Sequence, residues 1–436
     1  MLRSLVLGGV LALAAVGACA QEGDEEAYGA KFQATYVWQR KYPFGAAYTG
    51  PNSLIPEREK SYSFTGTAAL GARTWKGGEV YLNPEVAQGV PLSHLTGLGG
   101  FTNGEIARTS GPTPTFYVAR AFLRQTWGMG GERERVESDA NQLAGFVDRQ
   151  RLVLTVGKLS VQDLFDDNAY AKDPRTQFLN WSLMTHGAWD FAADARGYSY
   201  GVALEYFDGP WAVRAARFAM PKQSNGLALN PRIFYSFGDQ VELEHSHTIA
   251  GQAGKLRLLA FRNQADMGGY RDSLANAEST GGTPDLATSR QKRVKYGFGV
   301  NLEQSVAADV GVFSRASWNN GEVEEFAFTE IDRSFSAGTL VKGSPWGRTA
   351  DSFGLAYVRN GISGPHRDYL AAGGLGFFIG DGQLSYRTEN IFETFYSLGA
   401  AKDFWVSLGF QRIFNPAYNS DRGPVSVASA RLHYGF

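Results

Sequence analysis

Arginine and carboxylate side chains at alternate positions of short apolar–polar segments are the groups in this chain best able to do chemistry. Arg73, Arg120, Arg124, Arg151, Arg214, Arg257, Arg315 and Arg431 share a phase with Glu205, Glu242, Glu244 and Glu303. Both signs of charge on one strand face can stay hydrated, pair, or sort passing solutes by size and field. Most are expected to be solvated wall residues that hold shape. A second group lies in one long polar stretch, 158–197, and comprises Asp163, Asp166, Asp167, Asp173 and Arg175. If these carboxylates oppose wall arginines they create a transverse field. Hydroxyl-rich solutes, donors and acceptors at once, exchange water for such groups at little net cost. Charge removal at Asp166 and Arg124 is expected to alter ion selectivity. Tyr170, Phe178, Trp181 and Trp189 in the same stretch could offer flat faces to a pyranose, or simply pack against a wall.

Other constellations are incomplete. His245 and His247 share a strand face but lack a third metal ligand, so rim histidines are the expected reading. Asp163 to Asn168 lacks calcium-loop spacing and is expected to cap a short helix or turn. Neither a nucleophile elbow nor a phosphate-binding loop is read from the chain. No catalytic residue, metal or cofactor is therefore expected. An enzyme alternative, a lipid hydrolase, would need Ser, His and a polar orienter converging on an outer wall.

The elements that must position these charges follow from periodicity. No apolar run beyond the N-terminus approaches the roughly 20 residues of a spanning helix. That N-terminal run reads as a secretory signal: Arg3, an apolar core from Leu5 to Val16, then Ala18-Cys19-Ala20, with Gln21 starting the mature chain. A lipoprotein signal acylated at Cys19 is the alternative. Cleavage removes the single Cys, which suits export through an oxidising compartment. The chain has 42 basic and 43 acidic residues, a balance that does not suggest nucleic acid.

The rest alternates apolar with polar or small residues over stretches of about ten, as membrane-spanning barrel strands do. Phe32, Ala34, Tyr36 and Trp38 share one face, and Lys31, Gln33, Thr35 and Gln39 the other. Tyr296, Phe298, Val300 and Leu302 alternate in the same way with Lys295, Gly297, Asn301 and Glu303. Tight links near Gly77, Asp208-Gly209, Gly251, Ser305 and Lys402 alternate with long polar segments at roughly 40–60, 89–115, 158–197, 220–238, 266–293 and 360–389. A hairpin centred on Asp208-Gly209 would pair Tyr206 with Trp211 and set Glu205 diagonal to Arg214. The segment Gly128 to Asp148 breaks the rhythm, being long where a short turn is due.

These observations predict an all-β fold: a transmembrane antiparallel barrel of about 16 strands, with 14 or 18 compatible, filling residues 21–436 as one domain after a signal peptide at 1–20. Its less apolar face, read as Ser, Thr, Gly, Arg and Glu, suits a water-filled lumen better than the packed interior of a soluble sandwich. The last strand ends on Phe436, a terminal aromatic of the kind that outer-membrane assembly machinery recognises. A non-conducting barrel for adhesion or scaffolding would share all of these features.

Several stretches resemble the carbohydrate-selective porin family of Gram-negative outer membranes. They are Asp166-Asp167-Asn168-Ala169-Tyr170, Asp173 through Trp181, and Asp194-Ala195-Arg196-Gly197-Tyr198, followed by Ile379-Gly380-Asp381-Gly382 and Asn415 through Pro424. The resemblance runs from about residue 30 to the end. It implies a porin of about 16 strands that passes sugars or similar small polar solutes by facilitated diffusion. It leaves the solute and the oligomeric state open.

Overall fold

A strand between lipid and a wet interior must alternate its side chains, and its backbone groups must pair with neighbours on both edges. The computed structural model, which describes residues 25–106 and 111–436, meets both demands. The signal reading of residues 1–20 lies outside the described residues. The first strands are β1 (Tyr28–Lys41), β2 (Glu59–Arg73), β3 (Gly78–Val90), β4 (Thr115–Gly128), β5 (Arg133–Val136) and β6 (Gly145–Asp148). Next come β7 (Arg151–Leu159), β8 (Ser199–Asp208), β9 (Trp211–Ala219), β10 (Phe237–Ile249), β11 (Gln252–Met267) and β12 (Gln291–Ala307). The last are β13 (Val310–Asn319), β14 (Arg333–Lys342), β15 (Ser352–Gly361), β16 (Glu389–Ala401), β17 (Phe404–Phe414) and β18 (Val425–Gly435).

Sixteen of these strands form one closed antiparallel barrel, and β5 and β6 form a separate hairpin. Closure runs through β1 and β18, where Tyr36 faces Leu432 and Trp38 faces Ala430. Outward positions such as Leu70, Leu204, Phe298 and Val300 are exposed, whereas inward Thr35, Gln39, Ser63 and Asn301 are buried. The irregular stretch after β4 is the β5–β6 hairpin.

Two local expectations are corrected. The turn after β8 has Asp208 opposite Trp211, so its central residues are Gly209 and Pro210. Gly209 takes the left-handed φ of 56° that a type II′ turn asks of its first centre, and the proline ring, fixed near −65°, suits the negative φ of the second. Tyr206 therefore faces Val213, and Glu205 stands directly opposite Arg214. Residues 320–332 and 415–424 also join the long-loop rim, in addition to the segments read from sequence.

The inner face is also less uniformly polar than its composition suggests. Six inward aromatics each lie directly across from a glycine: Tyr81 from Gly71, Phe122 from Gly157, Phe218 from Gly201, Phe261 from Gly297, Phe313 from Gly338, and Phe395 from Gly354. A β-carbon at Gly354 would come within 2.2 Å of the Phe395 ring. These rings flatten over bare backbone and shield it. They also meet a dry core inside the barrel, where Trp181 stacks on Phe328 at 5.6 Å and Phe178 meets Phe395 edge-on at 5.1 Å.

Gly354→Val should overpack this wall by about 1–3 kcal/mol. The expected outcome is less folded, heat-modifiable barrel on unheated gels, with partial recovery when Phe395→Ala is added. Equal folding of single and double variants would contradict the close fit.

Candidate functional site

A loop threaded through a barrel carries backbone donors and acceptors that need partners. Here the inner wall supplies them to the segment 160–198. Glu242 on β10 accepts from the Asp166 amide at 2.7 Å, and Glu303 on β12 from the Ala169 amide at 2.8 Å. Arg431 on β18 donates to the carbonyls of Pro174 and Gln177, each at 2.7 Å. Glu393 on β16 accepts from the Leu179 and Asn180 amides at 2.6 and 3.0 Å. Where the loop leaves β7, the Ser160 amide donates to Asp163 at 3.0 Å, so Asp163 caps a single tight turn.

The deepest anchor is Asp166. Arg315 on β13 donates to its carboxylate at 3.0 Å and to the carbonyls of Ala171 and Leu183 at 2.7 and 3.0 Å. Thr185 and the His186 amide donate to the other carboxylate oxygen at 2.7 and 2.8 Å. Burial alone would raise the Asp166 carboxyl, but Arg315 and His186 hold it below the usual range. The His186 ring lies against Gly299, where a β-carbon would sit 2.5 Å away. Burial pushes this imidazole down to about 4, with Asp166 opposing and Arg315 adding to the effect.

The charges read from sequence separate into four places. Arg73, Arg124 and Arg151 lie at the short-turn rim and hold the β5–β6 insert through the carbonyls of Ala144 and Asn141 and the carboxylate of Glu134. The structure does not bring Arg124 to the loop carboxylates. Asp166, Arg315 and Arg431 are buried beneath the loop.

The other two groups are ion-pair networks between loop and wall, largely buried and open to the lumen chiefly at Asp167, Lys172 and Lys255, not the solvated wall charges expected from the sequence. On one side Arg120 binds Asp163 with two bonds of 2.7 and 2.6 Å, and Arg175 reaches Glu105 at 2.9 Å and Glu85 at 3.5 Å. Asp173 accepts from the Arg175 amide at 2.9 Å. On the other side four cations, Lys172, Arg214, Lys255 and Arg257, meet five carboxylates, Asp167, Glu205, Glu242, Glu244 and Glu303. Asp167 is the most open of these, with 49% of its side chain exposed. Of the four loop aromatics, Phe178, Trp181 and Trp189 are buried in packing and Tyr170 is half-buried.

Sequence reasoning missed Glu85, Glu105, Lys172 and Lys255. A register shift where Asn83-Pro84 meets β4 interrupts the periodicity beside Glu85, and Glu105 and Lys172 lie in aperiodic loops. It also passed over Gly197-Tyr198-Ser199-Tyr200-Gly201, which has nucleophile-elbow spacing. Ser199 begins β8, fully buried, and its hydroxyl donates to the Ala219 carbonyl at 2.6 Å. That is extended strand, not the strand-to-helix turn an elbow requires. His245 packs tilted against Trp211 at 4.2 Å at the rim, and among the described residues no group of three metal-ligating side chains assembles.

An unfolded histidine gains its proton near pH 6.5, but His186 in the docked loop does so only near 4. Its contribution is therefore complete above about pH 6.5 and is lost as pH falls toward 4. Limited proteolysis across that window should show increasing cleavage in 160–198. His186→Gln should flatten the dependence, and an identical pH profile in the variant would contradict this assignment.

The sequence profile of the carbohydrate-selective porin, OprB family matches residues 68–436. Comparison with curated protein sequences gives no match. Among solved structures, OprB of Pseudomonas putida superposes with a TM-score of 0.71 at 16% identity, covering 94% of each chain. OccK8 (OprE) of Pseudomonas aeruginosa gives 0.46 at 10% identity, over 94% of this chain and 98% of that one. OmpT of Vibrio cholerae gives 0.47 at 11% identity, over 94% and 100%. With its closed wall and charged, loop-narrowed lumen, the chain belongs to the carbohydrate-selective porin, OprB family, outer-membrane channels for carbohydrates or similar small polar solutes.

Proposed function

We propose that the two charge networks between loop and wall form the eyelet that selects solutes in this porin. The observation that carries this reading is the placement of loop 160–198 across the lumen. Asp163, Asp167 and Arg175 on the loop stand within ion-pair distance of Arg120, Arg257 and Glu85 on the wall, and Lys172 pairs with Asp167 within the loop. Paired charges of both signs hold ordered water that a sugar hydroxyl can replace without stranding a donor or acceptor. A lone anion or cation instead meets a partner of its own sign on each side. Neutral, hydroxyl-rich solutes are the class this favours.

We read the chain as a channel and not an enzyme, because the strongest inward groups are committed to holding the loop. Arg315, Arg431, Glu242 and Glu393 each bond to loop backbone. Outer-membrane lipid is the partner for the exposed apolar band. Phe436, whose ring lies 6.0 Å from that of Phe32, is the signal offered to the assembly machinery. Residues 21–436 are read as the mature single domain after cleavage at Ala20.

Asp167→Asn should shift the reversal potential toward anions and Arg120→Gln toward cations. Each should change the permeability ratio on the order of twofold in dilute salt, where the Debye length stays near 10 Å or more. Unchanged potentials in both variants, with normal conductance, would remove these residues from the eyelet.

A further inference from the structure

We infer that the porin holds a second solute subsite between its eyelet and its short-turn rim, built for a neutral pyranose with Tyr170 as the stacking platform. The inference rests on the channel reading above; it shares Lys255 and Glu303 with the second charge group and adds Tyr170 and Ser246.

A cavity of about 450 Å³ opens there, within the roughly 300–1,000 Å³ of small-molecule sites. Its wall is a row across three neighbouring strands. Ser246 of β10 pairs with Lys255 of β11, and Lys255 pairs with Glu303 of β12. All three point inward and line the cavity. Lys255 makes one ion pair, to Glu244 at 3.4 Å, and its ammonium has three donors. Glu303 spends one oxygen on the Ala169 amide and Arg257. Donors, acceptors and a hydroxyl thus stand side by side at strand spacing, about 4.8 Å apart, comparable to the spread of hydroxyls along a sugar ring.

Tyr170 supplies the apolar face. Its ring rests against Gly311 of β13, where a β-carbon would come within 2.0 Å of it. The glycine leaves a flat seat, so the ring is braced from behind while lining the cavity on its other side. A fixed aromatic beside a donor–acceptor row is the combination that recognises a pyranose, apolar on one face and polar around its edge. The neighbouring network carries one more carboxylate than cation, which disfavours an acidic sugar. Position adds a functional consequence. Ser246 lies four residues before the Ala250-Gly251 turn, so a solute that clears the eyelet meets this site last.

The test is saturation-transfer NMR of glucose with the full chain in detergent, read alongside single-channel conductance. Wild type should bind glucose in preference to glucuronate. Tyr170→Ala should weaken glucose binding about tenfold, Tyr170→Phe should retain it, and Lys255→Met should weaken it independently. Conductance without sugar should stay within about twofold of wild type in Tyr170→Ala and Tyr170→Phe, which leave the eyelet charges untouched. Glucose binding unaffected by Tyr170→Ala and Lys255→Met, no glucose binding by wild type, or a preference for glucuronate would each overturn the subsite. Loss of conductance in wild type would instead overturn the channel reading, and the binding readout does not depend on it.

Discussion

Inside hydrocarbon, a backbone N–H or C=O without a partner costs several kcal/mol, and this requirement governs the whole architecture. A sheet can meet it only by having no edge. The ladder between β1 and β18, from Gln33–Gly435 to Lys41–Val427, removes the last one. Once the ring is closed, alternation decides everything about its two surfaces, because successive side chains must point to lipid and lumen in turn.

The same accounting recurs inside. A loop that leaves the rim and enters the lumen loses water from its backbone, so the wall must replace it. The inward glutamates and arginines do this as much as they line a path. Glu389 illustrates the economy of the arrangement: its carboxylate accepts from Gly99, Gly100 and Ala417, joining two loops to one strand. Carboxylates suit loop amides because charged acceptors make stronger bonds, and Arg315 does the complementary task for carbonyls. Substituting such a residue removes a loop anchor first and alters the lumen field second.

The interior therefore has a dry part and a wet part. Aromatics seated over glycines, with Trp181, Phe328, Phe101 and Phe378 from the loops, fill one part with rings in mutual contact. Along the other part run the paired charges, open to water at Asp167, Lys172 and Lys255. The solute path is what the loop core leaves open, and its chemistry is set by which charges were not consumed in anchoring.

Periodicity in the chain was enough to give the barrel, a count of about sixteen strands that closure then fixed, and the inward phase of its arginines, because two-residue alternation is a local property that lipid on one side enforces. It could not tell Arg120 from Arg124. Both face inward on β4, yet one meets Asp163 and the other supports the rim insert, because height along a strand relative to a distant loop is not a local property. Nor could it separate Asp166 from Asp167, adjacent and chemically identical, one buried under Arg315 and the other half-exposed. In an irregular loop no period assigns a side, so the partner that the folded wall brings to each carboxylate decides its fate.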